Sequence, residues 1–259
     1  MELGATRIIL NADDLGLTPS CTEAILEAFR RSYISSATLV ANGPCVEDAA
    51  HRCRDAGLRD RLGIHLNLTE GPPLTRPIQG NPRFCDGQGL LHGCIDRLRP
   101  LGKADREHVA AELSAQIERL RSLGIPLTHA DSHHHIHTGP FLAPVVLRVL
   151  AERQIGKVRL HRNIGAIPAS KRILKALFNA YLRGRGFRTV SCFGSYEDLL
   201  TGKDRLDGTT LEVMVHPDYD DRGNLIDRVG SDTGRPLEEV QQALASARLC
   251  SYANLWDPI

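Results

Sequence analysis

The sequence predicts a single α/β domain over residues 1–259, a (β/α) barrel of parallel strands with its active site at their C-terminal ends. Three observations carry this reading. Short apolar runs alternate with helical patterns along the whole chain, which is the signature of parallel β/α units. Seven or eight such units favour a barrel over an open sheet. Three of the runs end in polar residues that do not belong in a core, all at the end where such folds build active sites.

The elements follow in order. RIILNA (7–12) reads as a strand, and a helix opens near Thr18-Pro19-Ser20 and runs to Arg31. SATLVA (36–41) is a second strand, VEDAAHRCRDA a second helix and LGIHLNL (62–68) a third strand. A Gly/Pro-rich stretch from Glu70 to Gly102 reads as a long loop expected to line a substrate cleft. From Asp105 to Leu123 the apolar residues Val109, Leu113, Ile117 and Leu120 recur at helical spacing. PLTHAD (126–131) is a fourth strand, followed by a helix after Pro140 and by KVRLH (157–161) as a strand. A basic helix from Ser170 to Arg185, with Lys171, Lys175, Arg183 and Arg185, reads as a solvated face. FRTVSC (187–192) and LEVMVH (211–216) are further strands, and a last helix near Leu237–Ala247 leads into RLCSYANL. No composition shift, repeat or low-complexity tract divides the chain.

Bulk properties exclude several function classes. With 32 basic and 31 acidic residues the net charge is +1, so neither nucleic acid nor an anionic membrane is expected as the main partner. Seven cysteines with no CxxC pair suggest no disulfide framework and fit a reducing compartment. No apolar run approaches the ~20 residues of a membrane span, and MELGATRIIL is not a signal peptide. A cytoplasmic protein without membrane insertion is the expectation.

The chemistry sits at the strand ends. The first strand meets Asp13 and Asp14, the third meets His65 and then Asn67, and the fourth meets His129, Asp131, Ser132 and His133. THADSHHHIH (128–137) alone holds five of the eleven histidines. If that strand continued, His129, Asp131, His133 and His135 would share one face and His134 the other. Two histidines with Asp13 or Asp14 would make a three-ligand site with open positions, the pattern of catalytic metals. Asp131 could then accept the N–H of a ligating histidine and fix its tautomer. In the Asp13-Asp14 pair one carboxylate can ligate while its neighbour takes a proton from water. His216, at the end of a late strand and before a proline, could protonate a leaving group. Arg159 and Arg162 are divided between substrate contact and structural pairing, and the cysteines read as core or incidental.

Taken together, NADDLG (11–16), GIHLNLTEG (63–71), THADSHHHIH with Pro140, EVMVHP (212–217) and LCSYANL resemble the YdjC-like carbohydrate deacetylases, which include chitooligosaccharide deacetylases and hopanoid-associated relatives. Leu15 stands where that family usually has Phe, and the segment after His216 is shorter than in many relatives. The resemblance implies a distorted β/α barrel, one divalent metal ion and hydrolytic removal of acetyl from an N-acetylated amino sugar or oligosaccharide. It implies Asp14, His65 and His133 as metal ligands, Asp13 as the base and His216 as the acid, with a backbone N–H near Leu15 helping to hold the oxyanion. Asn67, Asp131, His135 and Arg159 remain as substrate-binding or supporting residues. A homodimer is also plausible from the family. Mixed O/N ligation suits Mg²⁺ or Zn²⁺, with Mn²⁺ and Co²⁺ as alternatives. Two other classes use similar parts: a metal-dependent hydrolase or isomerase acting on a phosphoester or sugar carbonyl, and a non-catalytic sugar-binding barrel.

Overall fold

A computed structural model describes residues 6–93, 95, 98–201, 206, 208–228 and 234–256, and among these ten strands and eight α-helices are formed. They run β1 (Arg7–Leu15), α1 (Pro19–Arg30), β2 (Ser36–Leu39), α2 (Val46–Asp55), β3 (Leu62–Leu66), α3 (Arg76–Gln79), α4 (Lys103–Ser122), β4 (Ala130–Ser132), α5 (Ala143–Glu152), α6 (Ala169–Gly184), β5 (Cys192–Ser195), α7 (Tyr196–Thr201), β6 (Thr210–Val215), β7 (Pro217–Tyr219), β8 (Leu225–Asp227), β9 (Arg235–Pro236), α8 (Leu237–Ala243) and β10 (Arg248–Leu249).

The main sheet is parallel in the order β4-β3-β2-β1-β6-β5, with β10 paired to the start of β1. Helices cover it, so successive residues of β1 (Ile8, Ile9, Leu10) are all buried, as expected of a parallel strand apolar on both faces. The sheet curls, and its outer strands are joined only by isolated bridges. Residues 157–159 bond Ala130 on one side and Arg188 on the other. The barrel is therefore distorted: KVRLH, expected as a strand, supplies this irregular seam.

Two other strands differ from expectation. The fourth is three residues long because Leu127 takes a left-handed φ of 55°, which breaks extended pairing before Ala130. The strand expected at 187–192 lies instead at Cys192–Ser195, because only Arg188 of its first half finds a partner across the seam. Helix α8 is shorter than expected, and β7, β8 and β9 form a small antiparallel sheet that sequence periodicity did not reveal.

The stretch after Glu70 is less loose than its composition suggests. It contains α3, and the buried Glu112 of α4 accepts the backbone N–H groups of Leu74 and Thr75 at 2.8–3.0 Å. Val109, Leu113, Ile117 and Leu120 of α4 are buried as their spacing predicts. Six cysteines are free; Cys94 lies outside the described residues. No described helix is long and apolar enough to cross a membrane.

Candidate active site

In a regular strand, adjacent side chains point to opposite faces, so Asp13 and Asp14 should not serve one site. A β-bulge resolves this. Pairing to β2 runs Ala12 to Ala37 and then Leu15 to Leu39, so β1 carries one extra residue, and Asp14 takes a φ of 69°. Aspartate tolerates this left-handed conformation better than most residues. Asp13 is thereby turned into the barrel, while Asp14 stands at its mouth.

Around Asp14 the three strand ends converge. Its Oδ1 lies 3.2 Å from His65 Nε2 and 2.9 Å from His133 Nδ1. His216 Nε2 is 3.7 Å from Oδ2. Burial pushes the Asp14 carboxyl up, but hydrogen bonds from His133 and His65 outweigh it and hold the group far below the usual carboxylate range.

Asp13 belongs to a different set. Arg159, fully buried, grips it with two 2.6 Å hydrogen bonds, reaches Asp131 at 2.8 Å and donates Nε–H to Glu212 at 2.7 Å. Asn11 adds a 2.9 Å bond to Asp13. Burial raises the Asp13 pKa, yet the charge and hydrogen bonds of Arg159 bring it well below the ordinary value. Asp131 accepts from His65 Nδ1 at 2.7 Å and from Thr38 at 3.1 Å, which leaves Nε2 of His65 to face Asp14.

Two trios have donor atoms close enough to share one cation: Asp14 with His65 and His133, and Asp13 with His65 and Asp131, each within 4.8 Å. The second is fully buried, and both its carboxylates already answer a guanidinium. The first has a mixed O/N donor set and opens to solvent through Asp14, whose side chain is 15 % exposed. It is the trio whose chemistry fits a divalent ion with open positions.

The histidine run divides by environment. The strand ends at Ser132, and residues 133–138 form a 3₁₀ turn in which His134 and His135 have φ near 50°. The expected common face of His129, Asp131, His133 and His135 is therefore lost, and only His133 reaches Asp14. His129 is buried, stacked 3.9 Å from Tyr252 and 3.1 Å from Asn11 Oδ1. It packs so closely on Gly63 that a Cβ there would lie 2.5 Å from its ring. His137 is buried against Ser132 and the Arg159 carbonyl. His135 packs edge-on to Phe193, and burial, with Arg159 nearby, lowers its pKa to about 3, so it is a neutral wall.

The roles that the sequence leaves open for other candidates are narrowed by their surroundings. Arg159 is 0 % exposed and makes no substrate-facing surface; it positions Asp13. Asn67 is equally buried and bonds Asn42 and the backbone of residues 69–70, so it shapes the turn bearing Glu70. Glu70, unassigned from sequence, lies 3.0 Å from His133 Nε2. Arg162, also undecided from sequence, pairs with Asp198 at 2.8 Å. Glu212 was missed as well, although a carboxylate inside LEVMV was a signal: an acid in an apolar parallel strand needs a buried cation. A cleft of ≈ 430 Å³, lined by Asp13, Asp14, Thr18, His216, Asp218 and Arg228, opens on the site.

The sequence profile of the YdjC-like protein family matches residues 7–255. The chain belongs to this family. Among similar proteins, a carbohydrate deacetylase 1 of Listeria innocua serovar 6a is 34% identical over 249 residues, 95% of this chain and 94% of that protein. A carbohydrate deacetylase of Geobacillus stearothermophilus is 37% identical over 223 residues, 82% of this chain and 80% of that protein. A crystal structure from Enterococcus faecalis V583, of a protein described as a candidate for cellobiose-phosphate cleavage, superposes with a TM-score of 0.74 at 25% identity, covering 97% of this chain and 99% of the other. The distorted barrel of this YdjC-like protein is thus shared with that crystal structure.

Beneath the site, Glu212 makes a pH-dependent contribution. Burial pushes its pKa up to about 7, against the pull of Arg159 and Tyr252. A carboxyl raised above its ordinary 4.5 stabilises fully below that pH, and the contribution is lost as pH rises through 7. Metal-free wild type should lose roughly 5 °C more in Tm than Glu212→Gln between pH 5 and pH 8. Parallel melting curves for the two proteins would show that Glu212 does not titrate in this range.

Proposed function

We propose that this YdjC-like protein is a metal-dependent hydrolase that removes the acetyl group from an N-acetylated amino sugar or oligosaccharide. The observation that carries the reading is the bulge in β1. It gives two neighbouring carboxylates separate tasks, Asp14 among two histidines and Asp13 beside them on a buried arginine. A site that only stabilised the barrel would need no second, positioned carboxylate. The names of the deacetylase relatives support the substrate class.

In this reading Asp14, His65 and His133 hold one divalent ion, Mg²⁺ or Zn²⁺ with Mn²⁺ or Co²⁺ as alternatives. When bound, the ion would supply Lewis acidity that polarises the acetamide carbonyl and lowers the pKa of a water toward about 7, so that a weak base suffices. Asp13, kept ionised by Arg159, takes the proton as water oxygen bonds to the carbonyl carbon. His216, in the cleft wall, donates a proton to nitrogen as the C–N bond breaks, giving acetate and a free amine. Asp131 holds His65 by Nδ1, which leaves Nε2 beside Asp14 and available to an ion.

Replacing His65 or His133 with Ala should weaken metal binding at least tenfold, measured by metal analysis after dialysis. Full stoichiometric metal in both variants would refute the ligand set. The reaction is tested by acetate release from N-acetylglucosamine, diacetylchitobiose, longer oligomers and a lipid-linked N-acetylamino sugar, with metal and with chelator. Metal-dependent release supports the proposal. No release from any of them, with turnover of a phosphorylated disaccharide instead, would transfer the site to another bond.

A further inference from the structure

Helix α6 presents its apolar side to solvent. Only Asn179 and Leu182 of the helix are buried, with Lys175 and Phe178 partly so, and at 100° per residue these four share one face. Opposite them stand Ile173, Leu174, Leu177 and Tyr181, exposed by 63, 68, 63 and 41 %. A surface helix of a globular protein normally has the reverse arrangement. Lys171 and Arg185 lie to one side of the apolar stripe, while Arg172 and Arg183 turn toward the protein, bonding the Gly165 carbonyl, Thr189 and the Val190 carbonyl. Residues 153–196 contain no Asp or Glu, yet carry ten Lys or Arg. Three of these, Arg153, Arg159 and Arg162, pair with acids outside the segment, and the others make it locally basic.

We propose that α6 is a docking surface for an anionic lipid bilayer, with the helix lying in the plane of the headgroups. Leucine, isoleucine and tyrosine on one face, rimmed by cations, are the parts of an interfacial helix. The long side chains of Lys171 and Arg185 can reach phosphates while the stripe enters the acyl boundary. Charge decides against the main alternatives. Pairing two α6 helices of two copies would set like-charged rims against each other. An acidic peptide would match the charge but needs a concave seat, and a convex helix offers none. The proposal concerns this face alone and does not depend on the reaction assigned to the cleft. The helix rests on the membrane and does not cross it.

The test is co-sedimentation of the full chain with vesicles of phosphatidylcholine alone and with an equal part of phosphatidylglycerol. Binding is expected to the anionic vesicles only and to weaken as salt is raised. Each basic residue contributes about a fivefold gain in partition, so Lys171→Ala with Arg185→Ala should lower it roughly 25-fold. Leu177→Asp should abolish pelleting. Because these side chains are exposed, melting curves should be unchanged, which separates loss of docking from loss of fold. No binding to either vesicle overturns the proposal, as does equal binding to both. A dimer in size-exclusion chromatography that Leu177→Asp dissolves, without vesicle binding, would assign the face to a second copy. Capture by poly-glutamate in place of vesicles would assign it to an acidic polypeptide.

Discussion

Asp13→Asn should retain the metal and lose about 10²–10⁴-fold in the rate of acetate release, the usual worth of a positioned proton acceptor. The amide keeps the size of the carboxylate and can still accept a hydrogen bond from Arg159, so the site should keep its shape. It cannot take a proton from water. The same change removes one anion from a buried guanidinium, but Asp131 and Glu212 remain on Arg159 at 2.8 and 2.7 Å. The protein should therefore fold, with a lower Tm. Metal content and turnover must be measured on the same preparation. Full metal with lost turnover assigns Asp13 to chemistry, and lost metal makes it a ligand through the buried trio with His65 and Asp131. Wild-type turnover with full metal sinks the base assignment.

The division between the two aspartates also shows what could be read from the sequence. Placement at strand ends was legible, because apolar runs terminate abruptly in polar residues at Asp13, His65 and Asp131. The alternation of strands and helices likewise indicated the parallel barrel. How two adjacent carboxylates could serve one site was not legible, since a bulge depends on pairing to β2, which lies outside the motif. The left-handed residues His134 and His135 are a similar case: a run of histidines has no local signal for a 3₁₀ turn, so the strand period was carried too far. The seam at residues 157–159 failed as a strand because its neighbours on both sides offer single bridges, a property of how the curled sheet ends meet. Arg159 shows the limit most clearly. Its position after an apolar run fitted either a cleft or a core, and only the three carboxylates gathered around it decide for the core.

That gathering makes Arg159→Met the change with the largest expected effect on stability. Three carboxylates, Asp13, Asp131 and Glu212, would lose their common cation while remaining buried. Breaking a buried pair by removing one partner costs about 3–5 kcal/mol, or roughly 10 °C in Tm for a chain of this size. The pH dependence should steepen as well. In wild type, Arg159 holds Asp13 below its ordinary pKa, so that contribution is present above the unfolded value of 3.8 and is lost only as pH falls below it. Without the guanidinium, burial is left to dominate. Asp13 and Glu212 should then titrate above their unfolded values, and Arg159→Met should lose more stability than wild type, which already loses the Glu212 contribution, as pH rises from 5 to 8. Arg159→Lys should fall between the two, since a single ammonium cannot reproduce the fork that bonds both oxygens of Asp13 and also reaches Glu212. Thermal melts of the three proteins at pH 5 and pH 8 provide the comparison. A Met variant that melts with wild type at both values would mean that the carboxylates are satisfied without Arg159, and the account of Asp13 as a base held ready by that residue would fall with it.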